Sequence, residues 1–149
     1  MSPGTPHKNG VVERVFATLY SQMRVMMAHA GLHENLNTGL CSKCTATTTK
    51  SENIMVKPHE EKCAHKNFYE KIREYAKYLR NFGEMGFVRS IATVKEKPEN
   101  LGKTCMFLDY AKNHTGGKYR MLNLRSKRIL LSHDVIWINK TQGEYISRK

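Results

Sequence analysis

No apolar run in this chain approaches the ~18 residues that a membrane-spanning helix requires, so no membrane contact is expected. The N-terminus lacks the apolar stretch of a secretory signal peptide. Its four cysteines therefore read as reduced thiols of an intracellular protein, not as a disulfide framework. There is no internal repeat and no low-complexity tract, which excludes a repeat architecture. Acid is also scarce. Thirteen Asp and Glu face 25 Lys and Arg, giving a net charge of +12. A chain this basic meets a polyanion, most often nucleic acid. The alternative is a solvated lysine-rich surface. The excess is uneven: residues 1–66 carry 8 basic against 5 acidic residues, and residues 67–149 carry 17 against 8. The C-terminal half is the stronger electrostatic footprint.

What is present suffices for a core, with 40% hydrophobic residues in 149. Val12, Phe16, Leu19, Met23, Met26, Met27 and Ala30 recur at helical spacing and predict a helix over 11–30, with Gly31 at its C-cap. A second helix is predicted over His33–Ile54, despite a threonine run of low helix propensity. A polar, turn-prone stretch around Pro58 follows, then a short helix over Asn67–Arg80. From Met85 the pattern turns to β. Strands are predicted at Phe87–Ile91, Thr104–Leu108, Lys118–Leu124, Arg128–Ser132 and Val135–Ile138. Pro98–Gly102 reads as a loop, and Asn113–Gly117 and Arg125–Lys127 read as turns. Five short strands joined by tight turns point to a small antiparallel barrel.

Three groups of residues carry possible chemistry. Ser2 to Gly10 is a Pro/Gly-punctuated loop leading into the first helix, whose early turns hold Glu13. A carboxylate on a rigid helix beside a mobile basic loop suits a metal ion facing a phosphate backbone. An ordinary first-turn acid stabilised by the helix dipole is the plainer reading. Lys118, Arg120, Arg125, Lys127 and Arg128 fall within eleven residues with no acid among them, and suit backbone phosphates. Cys41, Cys44, Cys63 and His65 have an acceptable zinc ligand count and spacing, but the first two fall inside a predicted helix. Buried or free thiols are the favoured reading there. Phe107, Tyr110 and Trp137 read as barrel core rather than as base-stacking surfaces.

The string Ser-Pro-Gly-Thr-Pro-x-x-Asn-Gly-Val-Val-Glu-Arg at residues 2–14 resembles the segment around the third acid of the integrases of copia-type LTR retrotransposons. The likeness continues in order through Ala30-Gly31-Leu32, Glu52-Asn53-Ile54, Asn67-Phe68-Tyr69-Glu70 and Tyr78 to Gly83. It then runs through Gly102 to Tyr110, Tyr119 to Leu124 and His133 to Trp137. The resemblance implies an α+β chain. Residues 1–56 would be the C-terminal helices of an RNase H-like catalytic core, and 57–82 a linker with a short helix. Residues 83–141 would form an SH3-like β-barrel, and 142–149 a basic tail.

It also implies a parent activity: 3′-end processing and strand transfer by a Pol polyprotein integrase that uses Mg2+ or Mn2+. Glu13 maps onto the last acid of the metal-binding triad. Lys8, Asn9 and Arg14 would approach DNA beside it, and the basic hairpin would bind element-end and target DNA. A nuclear location and a homo-oligomer go with that parent. Both aspartates of the triad would lie upstream of Met1, so the chain is expected to be non-catalytic alone. The sequence departs from the family pattern at Val15-Phe16-Ala17, where an Asn and a basic residue are usual. It departs again near Cys41, in place of a Trp, and at Asp109, in place of a Gly. A stand-alone DNA- or RNA-binding module and a non-functional relic are the other readings.

Overall fold

A computed structural model describes residues 6–32, 34–72, 74–89, 102–111 and 117–147. Helix α1 runs Pro6–Ala30 and α2 runs Glu34–Ile54. The short α3 (Ala64–Tyr69) and a 3-10 turn (Glu74–Tyr78) lead to β1 (Glu84–Arg89), β2 (Gly102–Tyr110), β3 (Tyr119–Asn123), β4 (Ile129–Ser132) and β5 (Val135–Thr141). Helix α4 (Gln142–Ile146) follows.

Helix α1 begins five residues before the expected start, so Pro6–Gly10 is helical rather than loop. Proline at the first helical position explains this. Its fixed φ suits the first turn, and its missing N–H has no partner there anyway. The remainder of the expected loop, residues 2–5, lies outside the described residues. At the other end Gly31, at φ +59°, caps α1 as expected, and its N–H reaches Ala28 O at 3.0 Å.

The threonines of α2 are accommodated by back-bonding. The hydroxyls of Thr45, Thr48, Thr49 and Ser51 each donate to the carbonyl four residues earlier, at 2.8–3.1 Å. The helix expected over Asn67–Arg80 is instead two pieces. Glu70 adopts a left-handed φ of 56° and stops α3 before the 3-10 turn begins.

The sheet is antiparallel throughout, in the order β4-β3-β2-β1-β5. Its two edge strands are consecutive in sequence and joined only by His133-Asp134. Three residue steps span at most ~11 Å, so the sheet must curl until its edges approach at that corner. The edges do not pair with each other, so the expected barrel is an open, curled sheet.

Strand β2 is buried on both faces. Cys105, Phe107 and Tyr110 line the inside of the curl with Val88, Tyr119 and Met121, and Trp137 packs against them. Met106 and Leu108 point the other way, into a core shared with Ala30, Leu40 and Cys44 of the helices. The helical segment and the sheet segment thus bury a common core. Phe107 and Tyr110 are core residues, as expected.

A bulge between Phe107 and Asp109 inserts one extra residue in β2 against β3. Strict alternation would aim Asp109 inward with Phe107. The bulge lets Asp109 meet α2 instead, and its Oδ1 lies 2.7 Å from Lys50 Nζ. The carbonyl of Leu108, at the bulge, accepts from Thr47 Oγ1 at 2.7 Å. Residues 142–146, expected in a basic tail, form α4. Thr141 and Glu144 make a capping box, a Thr-x-x-Glu signature visible in the sequence. The Thr141 N–H holds the Glu144 carboxyl below its ordinary value.

Candidate nucleic-acid interface

The β3–β4 hairpin is built around Asn123. Its Oδ1 accepts the N–H groups of Arg125 (2.9 Å) and Ser126 (3.1 Å), and its carbonyl accepts Lys127 N–H at 2.9 Å. Lys127 completes the turn in the left-handed region, at φ 56°. This side-chain-organised turn holds Arg125, Lys127 and Arg128 in solvent. Lys118 and Arg120 are half-buried near the start of β3. They sit about 17–23 Å from Arg125 along the strand at ~3.3 Å per residue. Arg128 lies between them, three residues along β4 from Leu131, the partner of Arg120, so the five cations are spread along the hairpin from its start to its turn. Asn123, which sequence reasoning passes over, is nearly buried and sets the turn.

Glu13 stands elsewhere. The hydrogen bond from Gln22 to Glu52 marks where the end of α2 meets α1. Residues 9–18 of α1 lie beyond it and are exposed, apart from a half-buried Gly10. Asn9 and Glu13 are one turn apart and both solvent-facing, as is Arg14. The side chain of Lys8 lies outside the described residues. Among the described residues no three His, Cys, Asp or Glu side chains gather to hold a metal ion. A two-metal phosphoryl-transfer centre needs several carboxylates converging. Glu13 alone does not fit that requirement.

The possible zinc ligands do not converge either. Cys44 is buried with its Sγ 3.7 Å from Met23 O, and His65 Nδ1 is bonded to Lys71 O at 2.8 Å. Cys63 is buried against the far end of α2, beside Ile54 and Val56.

No family model, curated protein or solved structure matches this chain.

Burial pushes the thiols of Cys44 and Cys105 up to about 11 from an ordinary value near 9. In the native state both stay protonated, while the unfolded chain ionises them from pH 9. Their contribution to stability is fully present below pH 9 and is lost as pH rises to 11. Each is worth about 2–3 kcal/mol over that window. Chemical unfolding followed from pH 8 to 11 is expected to show this loss. A Cys44→Ala/Cys105→Ala variant should show a shallower slope than the parent over the same window.

A second polar feature joins the sheet to the segment before it. Arg80 lies 4.6 Å over the Trp137 ring and 3.3 Å from the buried Glu84 carboxylate, and its N–H donates to Tyr110 Oη at 2.8 Å. Arg80 is not legible as a structural residue in the sequence, because its three partners come from separate strands.

Proposed function

We propose that this chain is the nucleic-acid-binding part of a copia-type integrase and grips the DNA backbone through its β3–β4 hairpin. The observation that carries the reading is the ordered turn that holds Arg125, Lys127 and Arg128 in water on a chain of net charge +12. Nothing in that turn is acidic, and three cations on a rigid turn suit phosphates rather than base edges. The curled five-strand sheet with an aromatic interior supports an SH3-like reading of its fold. The RNase H-like origin of α1 and α2 rests on the sequence motif around Glu13. A catalytic role for Glu13 requires further carboxylates beside it, and the described residues supply none. Binding of element-end and target DNA in the nucleus is the role this reading assigns.

A salt series on a short DNA duplex tests it. Affinity should fall steeply with salt, and the slope of log K against log salt should drop by about 0.9 for each phosphate contact removed. In Arg125→Ala/Lys127→Ala/Arg128→Ala the slope should become shallower by about 2–3, with weakening independent of DNA sequence. Salt-independent binding by the parent chain would refute the proposal.

A further inference from the structure

We infer, independently of the nucleic-acid reading, that the N-terminal half of α1 is a docking face for a second copy of this chain. Val11, Val12, Val15, Phe16, Leu19 and Tyr20 fall along one side of the helix at its 3.6-residue period. The same stripe continues through Met23, Met26, Met27 and Ala30, which pack into the core shared with α2 and the sheet. One stripe is thus covered at its C-terminal end and bare at its N-terminal end. Val11, Val12 and Val15 are 54–64% exposed. Phe16 and Tyr20 are each 52% exposed even after stacking on one another.

Area, shape and charge select the occupant. The five exposed residues offer roughly 450–500 Å² of surface, taking a whole valine as ~150 Å² and a ring residue as ~200 Å². Scattered surface side chains do not account for a continuous patch of that size. Two copies together bring about 1,000 Å² to the contact, which reaches the area a specific interface needs. The stripe is also complementary to itself. Its first turns carry the valines, and its next turns carry the larger Phe16, Leu19 and Tyr20. In an antiparallel pair the small end of one helix meets the large end of the other, so both ends fill. Charge permits the contact. Residues 6–20 carry Lys8 and Arg14 against Glu13, and Glu13 and Arg14 fall off the stripe. On a chain of net charge +12, such a nearly neutral segment is where two like copies repel least. A membrane surface is the poorer occupant. The opposite side of α1 holds Gly10, Ala17, Ser21 and Ala28, not the dense cations of an interfacial helix.

Analytical ultracentrifugation of the full chain over a concentration series tests this. A monomer–dimer equilibrium is expected, and association should strengthen as salt rises, because salt screens the two cationic copies from each other. Val15→Glu places like charges at the middle of the contact and should weaken the dimer at least about ten-fold. Val15→Lys should do the same. An equal mixture of these two variants should pair again, since each new charge then meets its opposite. Val15 faces solvent in the single copy, so both variants should keep the parent's circular dichroism. Ile136→Glu, at an exposed apolar position on β5, should leave association unchanged. A parent chain that stays monomeric at every concentration would overturn the inference. So would a dimer indifferent to Val15→Glu, one abolished by Ile136→Glu, or one that weakens as salt rises. Variants that stay apart on mixing would show that the face serves a different partner.

Discussion

Gly83→Ala should cost the protein about 3–5 kcal/mol, a third or more of an ordinary domain stability of about 5–15 kcal/mol. Gly83 sits at φ +81°, a left-handed conformation that costs a residue with a Cβ about 1–2 kcal/mol. The second cost is steric. A Cβ here would lie 2.4 Å from Ala30 Cβ and 3.2 Å from Ala30 Cα. Ala30 is fully buried at the end of α1, so the overlap falls where the helix meets the sheet. Neither side can move freely. Gly83 N–H is bonded to Phe107 O and its carbonyl accepts Gln142 N–H, both at 3.0 Å. Overpacking of a fixed core adds about 1–3 kcal/mol or more. The control is Gly10→Ala. Nothing lies within 4 Å of its Cβ position, and it is within α1. That change should stabilise the protein by about 0.5–1 kcal/mol. Urea midpoints of the two variants should move in opposite directions from the parent. A Gly83→Ala midpoint within error of the parent would show that the joint between α1 and β1 is slack.

The same joint shows where sequence reasoning reaches and where it stops. The helix over 11–30 is legible because its apolar residues repeat at three and four, and Gly31 marks its end. Its start is not, because Pro6 reads as loop punctuation although proline is equally at home at the first helical position. The strands are legible as β runs, each placed within a few residues of its observed bounds. Closure of the barrel is not, because strand pairing at an edge depends on curvature that no local pattern records. The hairpin cations are legible as a charge cluster. Their spread along the hairpin follows only from the length of β3. Thr141-Gln142-Gly143-Glu144 carries a capping signature, yet the surrounding basic residues draw attention to charge instead. Asp109 is legible in the sequence as an acid within a strand, but its partner Lys50 lies 59 residues away and is visible only once α2 lies on β2.

Lys50→Met is expected to cost about 3 kcal/mol, more than Asp109→Asn, and this asymmetry follows from burial. Asp109 is 2% exposed through its side chain, whereas Lys50 is 24% exposed. Removing the lysine leaves a carboxylate that cannot turn to water. It keeps the Tyr110 N–H at 2.8 Å and a long contact to Thr47 Oγ1 at 3.5 Å, and loses its cation. Breaking one side of a buried pair in this way costs roughly 3–5 kcal/mol, and the partial exposure of Lys50 places this case at the low end. Removing the charge on Asp109 instead leaves an ammonium that can swing outward into solvent. In Asp109→Asn the new amide still offers an oxygen to Tyr110 N–H, so the loss should be about 1–2 kcal/mol. The double variant should be less destabilised than the sum of the two, because each single change already removes the pair. A coupling energy of about 1–3 kcal/mol from the four denaturation curves would confirm that the pair acts as a unit. Additive effects would mean that Lys50 merely lies near Asp109. The bulge at Leu108 would then owe its shape to the Thr47 hydroxyl alone, and Thr47→Val would become the most damaging change at this contact.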